Sequence, residues 1–154
     1  MPVKPIILVE DNDKIRRLYV EMLEGAGYVV MSANSGQKAI ELLHKVSSPQ
    51  LVILDIMMPE MDGIETCERI RKLQTADPFP IVFLTAMDKP ETLLRCLRAG
   101  GDDYLMKSIP LPVVLERLQA WIRRRSFDDI AARREKAIKE LEAITAEAEA
   151  KDHW

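Results

Sequence analysis

Two short apolar runs of this sequence each end in carboxylates. Residues 51–54 lead directly into Asp55, and residues 6–9 lead into Glu10 and Asp11. Like charges held close together raise one another's pKa, so a cluster of carboxylates is stable only with a proton or a cation among them. Magnesium fits this role best, because it takes oxygen ligands, keeps several waters and usually serves phosphate groups. The carboxylates therefore predict a Mg2+ site.

A hydroxyl and an ammonium end two further apolar runs. Residues 81–84 lead into Thr85, and the weaker run 104–106 leads into Lys107. This set of groups matches phosphoryl transfer to a carboxylate. Asp55 would be the nucleophile, the metal and Lys107 would neutralise charge on the phosphoryl oxygens, and the product would be an aspartyl phosphate.

The strand ends must come together for this chemistry, and the alternation of elements predicts that they do. Five βα units with near-continuous apolar strands predict a parallel sheet with helices on both faces. Right-handed crossovers favour a doubly wound, flavodoxin-like sheet of order 2-1-3-4-5. Its switch point lies between strands 1 and 3, which places Glu10 and Asp11 beside Asp55. The predicted strands are 5–10, 28–33, the run before Asp55, the run before Thr85, and 103–107.

Bulk properties exclude several other classes of function. The net charge of -3 gives no global drive toward nucleic acid or anionic membranes. Cys67 and Cys96 fall in helical patterns without metal-type spacing, and we expect buried, reduced thiols. His44 and His153 lie away from the strand ends, so zinc or copper has little support. Without a secretory signal or a long apolar span, we expect a cytoplasmic protein that binds neither nucleic acid nor membrane.

The joint pattern resembles the receiver domain of the two-component response-regulator family, over about residues 3–125. The matching motifs are Glu10-Asp11, Asp55-x-x-x-Pro59-x-x-Asp62-Gly63, Thr85-Ala86, Gly100-x-x-Asp103-Tyr104 and Lys107. The resemblance implies a phosphorelay in which Asp55 accepts phosphate from a histidine kinase or phosphotransfer protein. It implies no enzymatic turnover beyond phosphorylation and dephosphorylation of the chain itself, and an output through a downstream protein target.

The resemblance also implies the metal ligands. Asp11 and Asp55 would bind Mg2+ together with the backbone carbonyl of Met57, and Glu10 would assist mainly through water. Glu10 stands where the family more often has aspartate. The longer side chain is expected to retune the metal site rather than abolish it.

Thr85 and Tyr104 resemble the family's switch pair, in which the hydroxyl turns toward the phosphoryl group and the aromatic ring follows inward. The face formed by the fourth helix, fifth strand and fifth helix is then expected to change on phosphorylation. A second departure from the family follows the lysine, where Ser108 replaces the usual proline. Because cis peptide bonds are rare without proline, we expect a trans Lys107–Ser108 bond.

The last stretch, 126–154, predicts a charged helical extension after a receiver domain at 1–125. It is rich in Ala, Glu, Lys and Arg and contains no Gly or Pro. A heptad reading places Phe127, Arg134, Leu141 and Ala148 at one seam position and Ile130, Ala137, Ile144 and Lys151 at the other. This seam is only partly apolar, so a solvated helix, a disordered tail and a coiled-coil dimer stay open. We favour a helix that pairs with a second chain or leads to an output domain.

Two other functions stay open. A small aspartate-nucleophile phosphatase also uses a strand-end carboxylate and magnesium, but it usually carries an acid two residues after the nucleophile, where this chain has Met57. The other function is a receiver-like dimerisation scaffold that works without phosphorylation. The presence of Asp55 and Lys107 argues against it.

Overall fold

The computed structural model describes residues 3–46, 48–73, 78–123 and 127–152, and in the last helix the side chains of 134–149. Five strands and six helices are defined in these ranges. The strands are β1 (Ile6–Val9), β2 (Val30–Ala33), β3 (Leu51–Asp55), β4 (Ile81–Thr85) and β5 (Asp103–Met106). The helices are α1 (Asp13–Gly25), α2 (Gly36–Lys45), α3 (Gly63–Lys72), α4 (Pro90–Arg98), α5 (Leu111–Ile122) and α6 (Phe127–Asp152).

The five strands form one parallel sheet of order β2-β1-β3-β4-β5, which confirms the predicted topology. The register keeps the carboxyl ends level. Val9 lies opposite Leu54 across the β1–β3 pair, and Leu54 lies opposite Phe83 across the β3–β4 pair. The residues that follow these positions therefore emerge at one edge of the sheet.

Alternate residues of the strands pack into two separate cores, because successive side chains of a strand point to opposite faces. Val52 and Leu54 belong to the core that α2 and α3 cover, whereas Ile53 belongs to the core that α1 and α5 cover. Both faces of the sheet are thus buried, as near-continuous apolar strands predict.

The helices that follow β1, β2 and β3 begin at side chains that cap them. Asn12 caps α1, because its Oδ1 accepts a hydrogen bond from the backbone N–H of Ile15 at 3.0 Å. Ser35 caps α2 and Asp62 caps α3 in the same way. These caps satisfy backbone donors that a helix leaves free at its first turn, and so they fix where each loop ends.

α6 does not stand apart from the sheet domain. It packs along α4, where Leu141 is buried with three leucines of α4. Pairing of this helix with a second chain stays a prediction. Within the described ranges, no helix is both long and apolar enough to cross a membrane.

Candidate functional site at the carboxyl edge of the sheet

The structure brings the predicted site residues to one place. Glu10 follows β1 directly, Asp55 ends β3, and Thr85 ends β4. Lys107 follows β5, and its backbone N–H donates to the Thr85 carbonyl at 2.8 Å. Parallel pairing therefore converts separations of tens of residues along the chain into direct contact.

Lys107 connects two of the carboxylates. Its Nζ lies 2.6 Å from Glu10 Oε1 and 3.2 Å from Asp55 Oδ1. Both carboxylate side chains are buried, at 3% and 5% exposed, while that of Lys107 is 19% exposed. Ion pairs in such a protected place are screened little by salt, so the ammonium is held firmly between the two acids.

The electrostatics of the site follow from this burial. Burial raises the pKa of Glu10, and the neighbouring Asp55 carboxylate raises it further, although Lys107 opposes both effects. Burial alone would lower the pKa of Lys107, but Glu10 and Asp55 outweigh it and hold that pKa above its usual value. Lys107 is therefore a permanent cation at neutral pH.

The carboxylates fit a hard divalent ion. One oxygen each of Glu10, Asp11 and Asp55 lies within 4.8 Å of the others. Glu10 Oε2 is buried and has no hydrogen-bond partner among the described residues, which is costly for a carboxylate oxygen. Asp11 is exposed, so water can complete a coordination shell from that side. An oxygen donor set with access for several waters suits Mg2+.

Met57 lies in the loop after β3, and it is 64% exposed. The role of its backbone carbonyl as a metal ligand stays a prediction. The phosphatase alternative usually has an acid at this position, and the exposed methionine supplies none. We therefore do not propose that function.

Arg16 contributes to the site, although no sequence motif points to it. Its Nη1 donates to the backbone carbonyl of Glu10 at 2.9 Å, and its Nη2 lies 2.6 Å from Asp13 Oδ1. The guanidinium thus ties the β1–α1 loop to the first turn of α1. Neither the residue type nor its spacing distinguishes Arg16 from the adjacent Arg17.

Gly63 explains why the motif around Asp55 continues into α3. A Cβ atom at this position would lie 2.0 Å from the backbone carbonyl oxygen of Asp55 and 2.9 Å from Ile56 Cα. The Gly63 N–H also donates to the Ile56 carbonyl at 2.8 Å. The first turn of α3 therefore rests directly on the backbone of the candidate phosphoacceptor, a contact that only glycine permits.

The two residues of the predicted switch pair occupy different surroundings. Thr85 is fully buried, and its Oγ1 accepts a hydrogen bond from the Met87 N–H at 2.9 Å. Tyr104 is half-buried and packs both against the core and against the cluster formed by α4 and α6. Burial raises the pKa of the Tyr104 phenol, so it is a neutral ring at physiological pH.

The peptide bond that follows the site lysine is trans, because none of the described peptide bonds is cis. This confirms the expectation for Lys107–Ser108. The Ile109 N–H closes a turn onto the Met106 carbonyl at 3.0 Å. Lys107 thus reaches the two carboxylates from a loop that lacks the family's usual proline.

The sequence profile of the response regulator receiver domain matches residues 6–119. Among curated relatives, response regulator MprA of Mycolicibacterium vanbaalenii is 40% identical over 129 residues, covering 84% of this chain and 54% of that protein. The uncharacterized transcriptional regulatory protein YrkP of Bacillus subtilis is 46% identical over 123 residues, covering 77% of this chain and 49% of that protein. The chain therefore spans about half the length of these relatives.

Solved structures agree with this match. Chemotaxis protein CheY4 of Vibrio cholerae superposes with a TM-score of 0.72 at 28% identity, covering 78% of this chain and 99% of that one. The BeF3-activated N-terminal receiver domain of Klebsiella pneumoniae RstA gives 0.70 at 33% identity, covering 79% and 100%. Sequence profile, relatives and fold agree, and the chain belongs to the response regulator receiver family.

Proposed function

We propose that this chain is a phosphorelay switch, in which Mg2+-dependent transfer of a phosphoryl group to Asp55 changes a protein-interaction surface. The donor would be a histidine kinase or a phosphotransfer protein, and the output a downstream protein. The observation that carries the proposal is the pairing of the partly buried Lys107 ammonium with two buried carboxylates, beside Glu10 Oε2, which has no hydrogen-bond partner among the described residues.

Each residue has a defined part in the transfer. A carboxylate oxygen of Asp55 attacks the phosphorus atom, the P–N bond to the donor imidazole breaks, and the imidazole nitrogen keeps the electron pair. The bound metal ion would neutralise charge on the phosphoryl oxygens. Lys107 then exchanges its contact with Asp55 Oδ1 for a phosphoryl oxygen, and needs only a small movement because its Nζ already lies 3.2 Å from that carboxylate.

Thr85 can stabilise the product without losing its present contact. Its Oγ1 accepts a hydrogen bond from Met87, so its own O–H proton is free to be donated. Donation to a phosphoryl oxygen would draw the β4–α4 loop toward Asp55. Tyr104, on the neighbouring strand, would respond to that movement.

The names of two similar proteins support the proposal. MprA is named a response regulator, and the RstA receiver domain is described as BeF3-activated. We propose for this chain that no turnover accompanies the switch beyond phosphorylation and dephosphorylation of Asp55. A cytoplasmic location belongs to the same proposal.

Mass spectrometry of the intact protein after incubation with acetyl phosphate and Mg2+ tests the proposal. We expect the mass of the protein to increase by one phosphoryl group. The increase should not occur when a chelator removes the metal, and it should not occur in Asp55→Asn. Asp88→Asn is the matched control, because Asp88 is an exposed carboxylate in the neighbouring β4–α4 loop. No gain in the unaltered protein, or a gain that survives Asp55→Asn, would overturn the proposal.

A further inference from the structure

α6 covers an apolar surface of its own receiver domain. We call this the α4–β5 surface: Leu93, Leu94 and Leu97 of α4, with Tyr104 of β5. Leu141 of α6 is 5% exposed in the cluster that these leucines form. Ala137 and Ile138 of α6 pack against the same cluster, as does Tyr104. The α4–β5 surface is therefore not available to another protein while α6 lies on it.

An ion pair with a buried carboxylate holds α6 in one position along this surface. Arg134 Nε donates to Asp102 Oδ1 at 2.9 Å, and its Nη2 makes a second, shorter contact with the same oxygen. The other carboxylate oxygen of Asp102 accepts from Arg71 at 2.7 Å and from the Ile81 N–H at 2.8 Å. The Asp102 side chain is fully buried. Arg134 of α6 therefore adds a second guanidinium partner, beside Arg71, to a carboxylate inside the receiver domain.

The docked face of α6 is the seam that the heptad pattern predicts for pairing with another helix. Arg134 and Leu141 occupy one seam position, Ala137 occupies the other, and all three contact the receiver domain. Ile144, one step further along the seam, is 49% exposed. Docking and pairing through this seam therefore exclude each other.

The covered surface is continuous with the phosphorylation site. Tyr104 packs against the α6 cluster, and Lys107 stands three residues further along the same segment. The Lys107 N–H is bonded to the Thr85 carbonyl, while its Nζ contacts Glu10 and Asp55. A movement of Thr85 or Lys107 toward a phosphoryl group would displace β5 at Tyr104. It would therefore alter the α4–β5 surface on which α6 packs.

We propose that α6 is a releasable cover of the α4–β5 surface. Docked, it hides that surface together with its own seam, and phosphorylation of Asp55 releases it. The covering itself is independent of the proposed function, whereas its release by phosphorylation rests on it.

Hydrogen exchange of the full-length protein tests the covering. Most of the stability of a helix in a protein comes from tertiary packing, so protection of α6 amides reports docking. Leu141→Asp should raise the exchange of α6 amides by about tenfold or more, because it places a charge against the leucines of α4. Ile144→Asp is the matched control, since it introduces the same charge on the same helix at an exposed position, and it should leave exchange near that of the unaltered protein.

Equal exchange in the two variants would overturn the covering. Arg134→Ala provides a second route to the same result, because it removes the polar anchor without adding a charge to the apolar cluster. It should also raise α6 exchange, while a fully protected α6 in this variant would count against the proposal.

The coupling is tested in the unaltered protein, which needs no substitution. Acetyl phosphate with Mg2+ should raise the exchange of α6 and α4 amides, and the same treatment of Asp55→Asn should not. The mass of the intact protein is measured in the same samples. A protein that gains the phosphoryl group but keeps α6 protected would overturn the coupling, whereas a protein that gains no mass would contradict the proposed function instead.

Reciprocity supplies a further check on the coupling. If phosphorylation favours release, release must favour the phosphorylated form by the same factor. Leu141→Asp should therefore bind beryllofluoride, a phosphoryl mimic, more tightly than Ile144→Asp in calorimetric titrations with Mg2+. Equal affinities would show that α6 covers the surface without sensing the site.

Discussion

At the scale of single residues, Lys107 has two partners, one directly after β1 and one at the end of β3. It balances Glu10 and Asp55, whose side chains are almost completely buried. Such a group matters for stability as well as chemistry, because removing one member of a buried ion cluster leaves the others uncompensated. Its replacement therefore has a measurable consequence even without any phosphoryl donor.

Lys107→Ala should lower the free energy of unfolding in metal-free buffer by about 1–3 kcal/mol. Mg2+ should recover part of this loss, because the ion can neutralise the carboxylates that the lysine leaves unpaired. Urea titrations with and without Mg2+ measure both effects. Lys38→Ala, at an exposed position on α2, is the control and should change neither. A Lys107→Ala protein with unaltered stability would contradict the argument.

The two cysteines should be chemically inert in the folded protein. Burial raises the pKa of both Cys67 and Cys96 to about 12, and both side chains are fully buried. At pH 8 only about 1 in 10,000 of each thiol is then ionised, and the thiolate is the reactive form. We expect a thiol reagent to label the native protein far more slowly than the urea-unfolded protein, which should react at both cysteines. Rapid labelling before unfolding would show that the helices around them open.

At the scale of elements, the site depends on how α3 meets β3. The Asp62 side chain caps α3, and Gly63 lets the first turn of that helix touch the Asp55 backbone. The backbone carbonyl of Asp55 thus has a helix packed directly against it. This contact fixes the loop that carries Met57, because the loop is held at both ends.

Gly63→Ala should destabilise the protein by about 1–3 kcal/mol, because the added methyl group meets backbone atoms that cannot move aside cheaply. Gly25→Ala is the matched control. A Cβ atom there has no neighbour within 4 Å, and alanine favours helix at the end of α1, so stability should be unchanged or slightly higher. Urea titration gives the two free energies. Equal stabilities for the two variants would contradict the close contact of α3 with Asp55.

At the scale of the whole molecule, the described residues of α6 join the receiver domain through two ion pairs of different kinds. Arg134 and Asp102 form a largely buried pair, with the Asp102 side chain fully inaccessible and that of Arg134 23% exposed. Arg98 and Glu142 lie 3.5 Å apart, and both side chains are about half exposed. Exposed pairs contribute little because water and salt screen them, so the two should differ strongly in energetic weight.

Arg134→Ala should lower the free energy of unfolding by about 1–3 kcal/mol, because it removes one of two guanidinium partners of a buried carboxylate. Glu142→Ala should change it by less than about 0.5 kcal/mol. Thermal and urea unfolding of the two full-length variants measures the difference. Similar losses in both would mean that α6 is held by general packing and not by the pair with Asp102.

The sequence by itself determined the sheet and the contents of its carboxyl edge. Near-continuous apolar runs alternating with helical patterns allow few topologies, and a parallel sheet must collect its strand ends at one edge. Glu10, Asp55 and Lys107 could therefore be placed together from spacing alone. Helix caps such as Asn12 were predictable for a similar reason, since they act within four residues along the chain.

Only the tertiary structure decided how the site is supported and where α6 lies. Arg16, Arg71 and Asp102 have ordinary neighbours in the sequence, and their roles come from contacts with backbone atoms and buried charges that no periodicity encodes. The partly apolar seam of α6 is equally compatible with another chain, with solvent or with α4. In the structure α6 packs against α4. Leu141 contacts the leucines of the α4–β5 surface, and in the same register Arg134 pairs with the buried carboxylate of Asp102.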